Sequence, residues 1–328
     1  MSCNLCPRNC GVDRASAAGY CGAGCEPEIA LCTLHKYEEP CISGADPARG
    51  SGAVFFRYCN LKCVYCQNYK ISLLSGGLDR RGRVAQPPRF GRGEESRPVA
   101  QPPNFGRSEE SQPNLSDLPA VFLALQAKGA YNINLVTPTH YAPQIAEAVF
   151  AAKQGGLTVP VVWNTGNYEK AETIEKYLSG AADIYLPDMK YFESETAARY
   201  SNAPDYFRYA DKALRAMVKL RPRPVFGADG LLKSGVLARH MLLPGHLAES
   251  MKIVKYLHTE FGGGILISLM SQYTPMPGIA NGAAFPELQN RVSARHYKTL
   301  VEYAAGLGIK NAYTQGRGAA GESCIPNF

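Results

Sequence analysis

The chain predicts an α/β fold: a parallel sheet curled into a partial (β/α)6 barrel, with a cysteine-rich N-terminal extension. Three observations carry this. Six short apolar runs alternate with helix patterns, and such alternation builds a parallel sheet with right-handed crossovers. Each run ends in a polar or Gly/Pro-containing word, at the carboxyl ends of strands where sites in such folds collect. The length of 328 residues accommodates one barrel of about 200 to 250 residues plus additions. The expected organisation is a head over 1–48, the barrel over 49–315 with an insertion at 76–114, and a tail over 316–328.

The head opens with Cys3, Cys6, Cys10 and Cys21, spaced C-x2-C-x3-C-x10-C, with Cys25, Cys32 and His35 behind. Pro7, Gly11, Gly19, Gly22 and Gly24 predict turns over 1–35, with neither helix nor strand. So short a segment has no core of its own, and a metal would supply the missing free energy. A closed all-thiolate zinc site, a second iron–sulfur cluster and reduced thiols packed under the barrel all stay open. Cys25, Cys32 and Cys41 read as bystanders. Residues 36–51 form a linking loop in which Glu38 and Glu39 are either a carboxylate pair at the mouth or a solvated turn.

The first strand, 52–56, leads directly into Cys59, Cys63 and Cys66, spaced C-x3-C-x2-C. Three thiolates on one loop can hold three irons of a [4Fe-4S] cluster and leave the fourth open to a small molecule. Zinc loops usually pair two C-x2-C arms, and no second arm stands close by.

Residues 84–98 nearly recur at 99–113 with a period of fifteen. Pro, Gly, Arg and Glu dominate and no apolar face exists, so 76–114 reads as a disordered, functionally inert insertion, with an interaction arm as the alternative. From there the pattern runs on. Ser116 and Asp117 cap a helix to Gly129, and strand 132–136 ends in Thr137-Pro138-Thr139-His140. Helix 142–154 precedes strand 159–163, which ends in Asn164-Thr165-Gly166. Helix 168–178 precedes strand 183–186, which ends in Pro187-Asp188-Met189-Lys190. A helical region over 194–220 breaks near Pro204. Strand 236–243, helix 247–261 and strand 264–270 follow, the last ending in Ser271-Gln272-Tyr273. A helix over 286–305 and a closing strand at 310–314 complete the pattern.

No run of 18 apolar residues occurs, so no membrane span is expected, and the N-terminus lacks a basic-then-apolar signal pattern. The cytoplasm is the expected compartment. Ten of the eleven cysteines lie at or before Cys66, which in a reducing compartment reads as metal chemistry rather than disulfides. The net charge of +7 has no aromatic–basic recognition pattern beside it, so nucleic acid is not an expected partner.

The cysteine triplet, with the aromatic Tyr65 before its last member, resembles the signature of the radical S-adenosylmethionine (SAM) enzymes. The words Arg49-Gly50-Ser51-Gly52 and Cys66-Gln67-Asn68-Tyr69, and the four-cysteine head, resemble the branch related to pyruvate formate-lyase activating enzyme. The resemblance implies a [4Fe-4S] cluster on Cys59, Cys63 and Cys66. It implies SAM on the open iron, reductive cleavage to a 5'-deoxyadenosyl radical, and hydrogen abstraction from a substrate. It also implies SAM contacts at Tyr65, Thr137, Thr139, Asn164, Asp188 and Lys190. Thr137-Pro138-Thr139-His140 replaces the Gly-Gly-Glu word common elsewhere in the superfamily. Strand alternation puts Arg239 and His240 on opposite faces. The resemblance selects His240, with Leu242 on the same face, against adenine; a satisfied core histidine is the alternative. His140, Tyr141 and Tyr273 are candidate substrate-side groups, Gln272 either contacts substrate or closes the pocket, and Cys324 is given no role. Implied partners are a low-potential donor such as a flavodoxin or ferredoxin, and a glycyl-radical enzyme as substrate. Alternatives are a peptide, nucleoside or small-molecule substrate, or a non-catalytic iron–sulfur electron carrier.

Overall fold

The structure, a computed structural model, describes residues 2–73, 117–276, 279 and 283–315. The insertion 76–114, the tail 316–328 and Cys324 lie outside the described residues. The strands are β1 (Ile29–His35), β2 (Gly50–Phe56), β3 (Ala130–Val136), β4 (Val161–Thr165), β5 (Ile184–Pro187), β6 (Val225–Phe226), β7 (Leu232–Met241), β8 (Leu266–Met270) and β9 (Ala312–Thr314). The helices are α1 (Pro40–Ser43), α2 (Tyr69–Ser72), α3 (Leu118–Ala127), α4 (Ala142–Gln154), α5 (Ala171–Leu178), α6 (Ser194–Ser201), α7 (Tyr206–Leu220), α8 (Leu247–Phe261) and α9 (Ala294–Gly306).

One sheet runs in the order β1-β2-β3-β4-β5-β7-β8-β9, with β6 paired to β7. From β2 to β9 every neighbouring pair along that path is parallel. Helices connect most of these strands, the βαβ arrangement that the alternation predicted. Asp117 caps α3 by accepting from Ala120 N, and the expected break near Pro204 separates α6 from α7, with Asn202 in the left-handed region.

Two parts differ from expectation. Residues 1–35 are not all turns, because Ile29–His35 pairs antiparallel with β2, from Ile29 opposite Phe56 to His35 opposite Ser51. Leu31 and Cys32 are buried there, so the strand is held by packing that the surrounding Gly and Cys conceal. The sheet is therefore mixed. The fifth predicted strand starts earlier than expected, at Leu232, because β6 folds back on it as a short antiparallel ribbon.

Alternation along the strands separates two apolar layers. Ile133, Leu135, Val161, Trp163 and Tyr185 pack in the large core shared with the helices. Val162, Ile184, Leu186, Leu237 and Leu266 face the other way and meet Cys41 and Ile42 of α1. The linking loop is thus also a plug. Its Ile42 is fully buried, and the Ile42 carbonyl accepts from Asn132 Nδ2 at 2.7 Å.

Two arginines dock the head onto this frame. Arg8 donates to the carbonyls of Asn60 (2.8 Å), Asn202 (2.6 Å) and Ser201 (3.4 Å). Arg14 donates to the carbonyls of Ala23, Gly24 and His140 and lies over the Tyr141 ring. Among the described residues, no helix is long and apolar enough to cross a membrane.

A candidate thiol-lined active site

β2 ends at Phe56, and Tyr58 in the left-handed region turns the chain into the cysteine loop. The loop is pinned to the end of α6, since Val64 N donates to Tyr200 O at 2.8 Å. Cys59, Cys63 and Cys66 line one cavity at the carboxyl ends of the parallel strands. Burial pushes the Cys59 thiol up to about 12 and the Cys66 thiol to about 11, and the Cys63 sulfur beside each adds to the rise. Undisturbed, these thiols keep their protons, and a metal group must displace them.

Each sulfur has a hydrogen-bonding neighbour. Leu61 N donates to Cys59 Sγ at 3.4 Å and Ser201 Oγ to Cys63 Sγ at 2.8 Å, while Ser72 Oγ lies 3.2 Å from Cys66 Sγ. Donors around thiolates suit an anionic metal–sulfur group. Among the described residues, no three Cys, His, Asp or Glu groups close on a point where a single ion would sit.

The facing wall is a closed polar circuit around Arg239. Its guanidinium donates to Glu38 Oε2 at 2.9 Å, Asp188 Oδ1 at 2.9 Å and Asn164 Oδ1 at 2.7 Å. Lys190 Nζ donates to Asp188 Oδ2 at 2.7 Å. Asn134 and Asn164 donate to the other Glu38 oxygen. Burial alone would raise Asp188, but Arg239 and Lys190 outweigh it and hold the carboxyl below its usual range. Burial would lower Lys190, and Asp188 with Cys63 reverses that. Two cations and two carboxylates leave this wall neutral in sum and strongly dipolar.

Of the residues predicted to touch cofactor, Tyr65, Thr137, Asn164, Asp188 and Lys190 line the cavity. Thr137 does so at φ 58°, an uncommon strain for a β-branched residue and one that such sites collect. Three others stand elsewhere. Thr139 is buried and donates to Glu169 Oε1 at 2.6 Å. His240 is buried with Nδ1 donating to Met189 O at 2.7 Å, and Leu242 is buried beyond it.

Arg239 and Met241 line the cavity, and His240 and Leu242 do not. Alternation separated the two faces, but it could not say which one is inward. The signal that could have decided it is charge, because Glu38 and Asp188, once buried, require a cation between them. His35, Tyr37 and Glu38 also line the cavity, brought there by β1 and its following loop. Glu38 thus stands in the cavity wall rather than in a solvated turn. Its neighbour Glu39 is also buried, its carboxyl pushed up by burial and by the Glu38 charge against the pull of Arg239.

Gln272 lines the cavity, whereas Tyr273 turns away and donates to Leu288 O. His140 and Tyr141 are buried outside the cavity lining, with His140 Nε2 donating to Arg57 O at 2.8 Å. In the head, Cys6 and Cys21 are buried and Cys3 and Cys10 are half-buried. Burial dominates at Cys6, which rises to about 11.

The fold and site together define an α/β chain with a thiol triplet and a dipolar wall facing one another across a strand-end cavity. No family model matches the chain. An uncharacterized protein of Methanocaldococcus jannaschii is 23% identical over 317 residues, covering 95% of this chain and 77% of that protein. Among solved structures, the chain is similar to Streptococcus suis SuiB bound to S-adenosylmethionine, with a TM-score of 0.44 and 11% identity over 80% of this chain. It is also similar to HydG, a maturase of the [FeFe]-hydrogenase, with a TM-score of 0.46 and 14% identity over 80% of this chain. The chain spans about half the length of both, 49% and 50%.

Proposed function

We propose that this chain is a radical SAM enzyme of partial-barrel form, with Cys59, Cys63 and Cys66 holding a [4Fe-4S] cluster and the cavity holding SAM. The observation that carries the reading is the convergence of three thiols and a dipolar wall on one cavity. Such a cluster, when bound, supplies the electron that cleaves SAM to methionine and a 5'-deoxyadenosyl radical.

The residues divide the remaining work. Asp188 and Lys190 offer both signs of charge to a ligand that carries an ammonium and a carboxylate, and Asn164 offers an amide. Arg239 is held by Glu38, Asp188 and Asn164 and orients these groups. Phe55, Phe56, Ile71, Val136, Met241 and Met270 give the lining an apolar part, which helps exclude water from a reactive species. The substrate in this reading is glycine on a partner protein, as in glycyl-radical activation, with a flavodoxin or ferredoxin as donor. That part rests on the family resemblance of the cysteine motif and the words around it.

The test is 5'-deoxyadenosine formation from SAM and dithionite by anaerobically reconstituted protein, beside Cys63→Ala. The expected outcome is product from the wild type and at least a hundredfold less from the variant. A wild-type protein with a full, reducible cluster and no deoxyadenosine, with or without candidate glycyl peptides, overturns it.

A further inference from the structure

The end of α6 reaches the cysteine loop through a chain of hydroxyls. Tyr65 OH lies 2.6 Å from Tyr191 OH, Tyr191 OH lies 2.6 Å from Ser201 Oγ, and Ser201 Oγ lies 2.8 Å from Cys63 Sγ. Tyr65, Cys63, Tyr191 and Ser201 are all buried, Tyr191 and Ser201 completely. The segment is held in place independently. Val64 N donates to Tyr200 O, and Arg8 bonds to the carbonyls of Ser201 and Asn202 on one side and Asn60 on the other.

The direction of donation follows from counting protons. A metal-bound thiolate only accepts, so Ser201 spends its one hydroxyl proton on Cys63. Ser201 must then accept from Tyr191, and Tyr191, its own proton spent, must accept from Tyr65. Aligned hydrogen bonds polarise one another, so the two tyrosines strengthen the bond on the sulfur. Hydrogen bonds to cluster sulfurs are one of the terms that set reduction potential. A donor stabilises the more negative, reduced state and so raises the potential.

We propose that Ser201, polarised by Tyr191 and Tyr65, is a positioning residue that sets the reduction potential of the group held by Cys63. The inference rests on the reading under Proposed function and deepens it. Ser201 touches neither substrate nor reacting atom and acts only through the Cys63 sulfur. Ser72 near Cys66 is the corresponding hydroxyl on the other thiol, but no relay stands behind it among the hydrogen bonds of the described residues.

The experiment is a potentiometric titration, followed by electron paramagnetic resonance, of the full chain reconstituted anaerobically. It compares wild type with Ser201→Ala, Ser201→Thr and Tyr191→Phe, with iron and sulfide counted in each. The signal followed is the one that Cys63→Ala abolishes, which separates it from any group on the head. Ser201→Ala is expected to shift the one-electron equilibrium about tenfold toward the oxidised form, about 59 mV more negative. Tyr191→Phe should shift it the same way by less, and Ser201→Thr should restore it.

An unchanged midpoint in Ser201→Ala at full iron content overturns the proposal and leaves the enzyme reading standing. If Ser201→Ala does not fold, Tyr191→Phe decides, and its unchanged midpoint is equally fatal. A wild type that binds no cluster through Cys63 overturns the enzyme reading and this inference with it.

Discussion

Arg239 is buried between two carboxylates, and the cost of removing it differs from the worth of keeping it. A buried ion pair gains little over a well-packed apolar group, but breaking one leaves an uncompensated charge. In Arg239→Met, Glu38 and Asp188 would face each other with Lys190 alone. The expected loss is roughly 3–5 kcal/mol in urea unfolding. A loss under about 1 kcal/mol would mean that water reaches this wall and that the pairs are weak. His140 makes the opposite case, a buried base kept neutral. Burial lowers it to about 3, and the Arg14 and Lys62 cations outweigh some of the help from the Arg57 carbonyl. An unfolded histidine takes up its proton near pH 6.5. Between about 3 and 6.5 the unfolded chain binds more protons, so stability rises with pH through that window. The melting temperature should fall as pH drops from 7 toward 4, by the equivalent of a few kcal/mol at most. His140→Gln should flatten that slope; an unaltered slope would assign it to other groups.

At the scale of elements, β2 is the strand with least freedom. All seven of its residues are buried, and it lies between antiparallel β1 and parallel β3. A Cβ at Gly52 would stand 2.8 Å from Asn132 O and 2.9 Å from Ala130 Cβ. Backbone on the neighbouring strand cannot step aside cheaply, so Gly52→Ala should cost about 1–3 kcal/mol by overpacking. Because β2 delivers the cysteine loop, cluster content on reconstitution should fall with it. Thermal unfolding and iron counting check both. The link between the cysteine loop and α6 depends on Arg8, whose three carbonyl bonds are joined by contact with the Tyr20 ring at 3.9 Å. Arg8→Ala should lower stability by about 1–3 kcal/mol, as expected for charged hydrogen bonds. It should also speed chelator-driven iron loss. Unchanged iron loss would show that the loop is held without the head.

For the whole molecule, the head and the sheet behave as one packed body. Cys21 and Ala23 belong to the same buried cluster as Val54, Phe56 and Tyr141. Arg14 ties Ala23 and Gly24 to the His140 carbonyl. A chain begun at residue 29 would lose these contacts and expose Phe56 and Tyr141. It is expected to melt lower or to aggregate, whereas the full chain should unfold in a single cooperative step by two independent probes. Two separated transitions in the full chain would make the head an independent unit.

The sequence by itself determined the helix–strand alternation, the strand ends that carry Asn164, Asp188 and Lys190, and the cysteine spacing. These are local or periodic properties, set by side-chain period and by the residues that stop an element. Tertiary structure decided what depends on partners distant in the chain. Pairing with β2 made a strand of Ile29–His35, although its neighbourhood reads as turns. Glu38 and Asp188, 150 residues apart, turned Arg239 inward and left His240 behind it. Ser201, an unremarked serine at a helix end, reached Cys63 from 138 residues away. No period or motif encodes those meetings, because each is fixed by which buried charges and hydrogen-bonding groups must satisfy one another once the sheet has assembled.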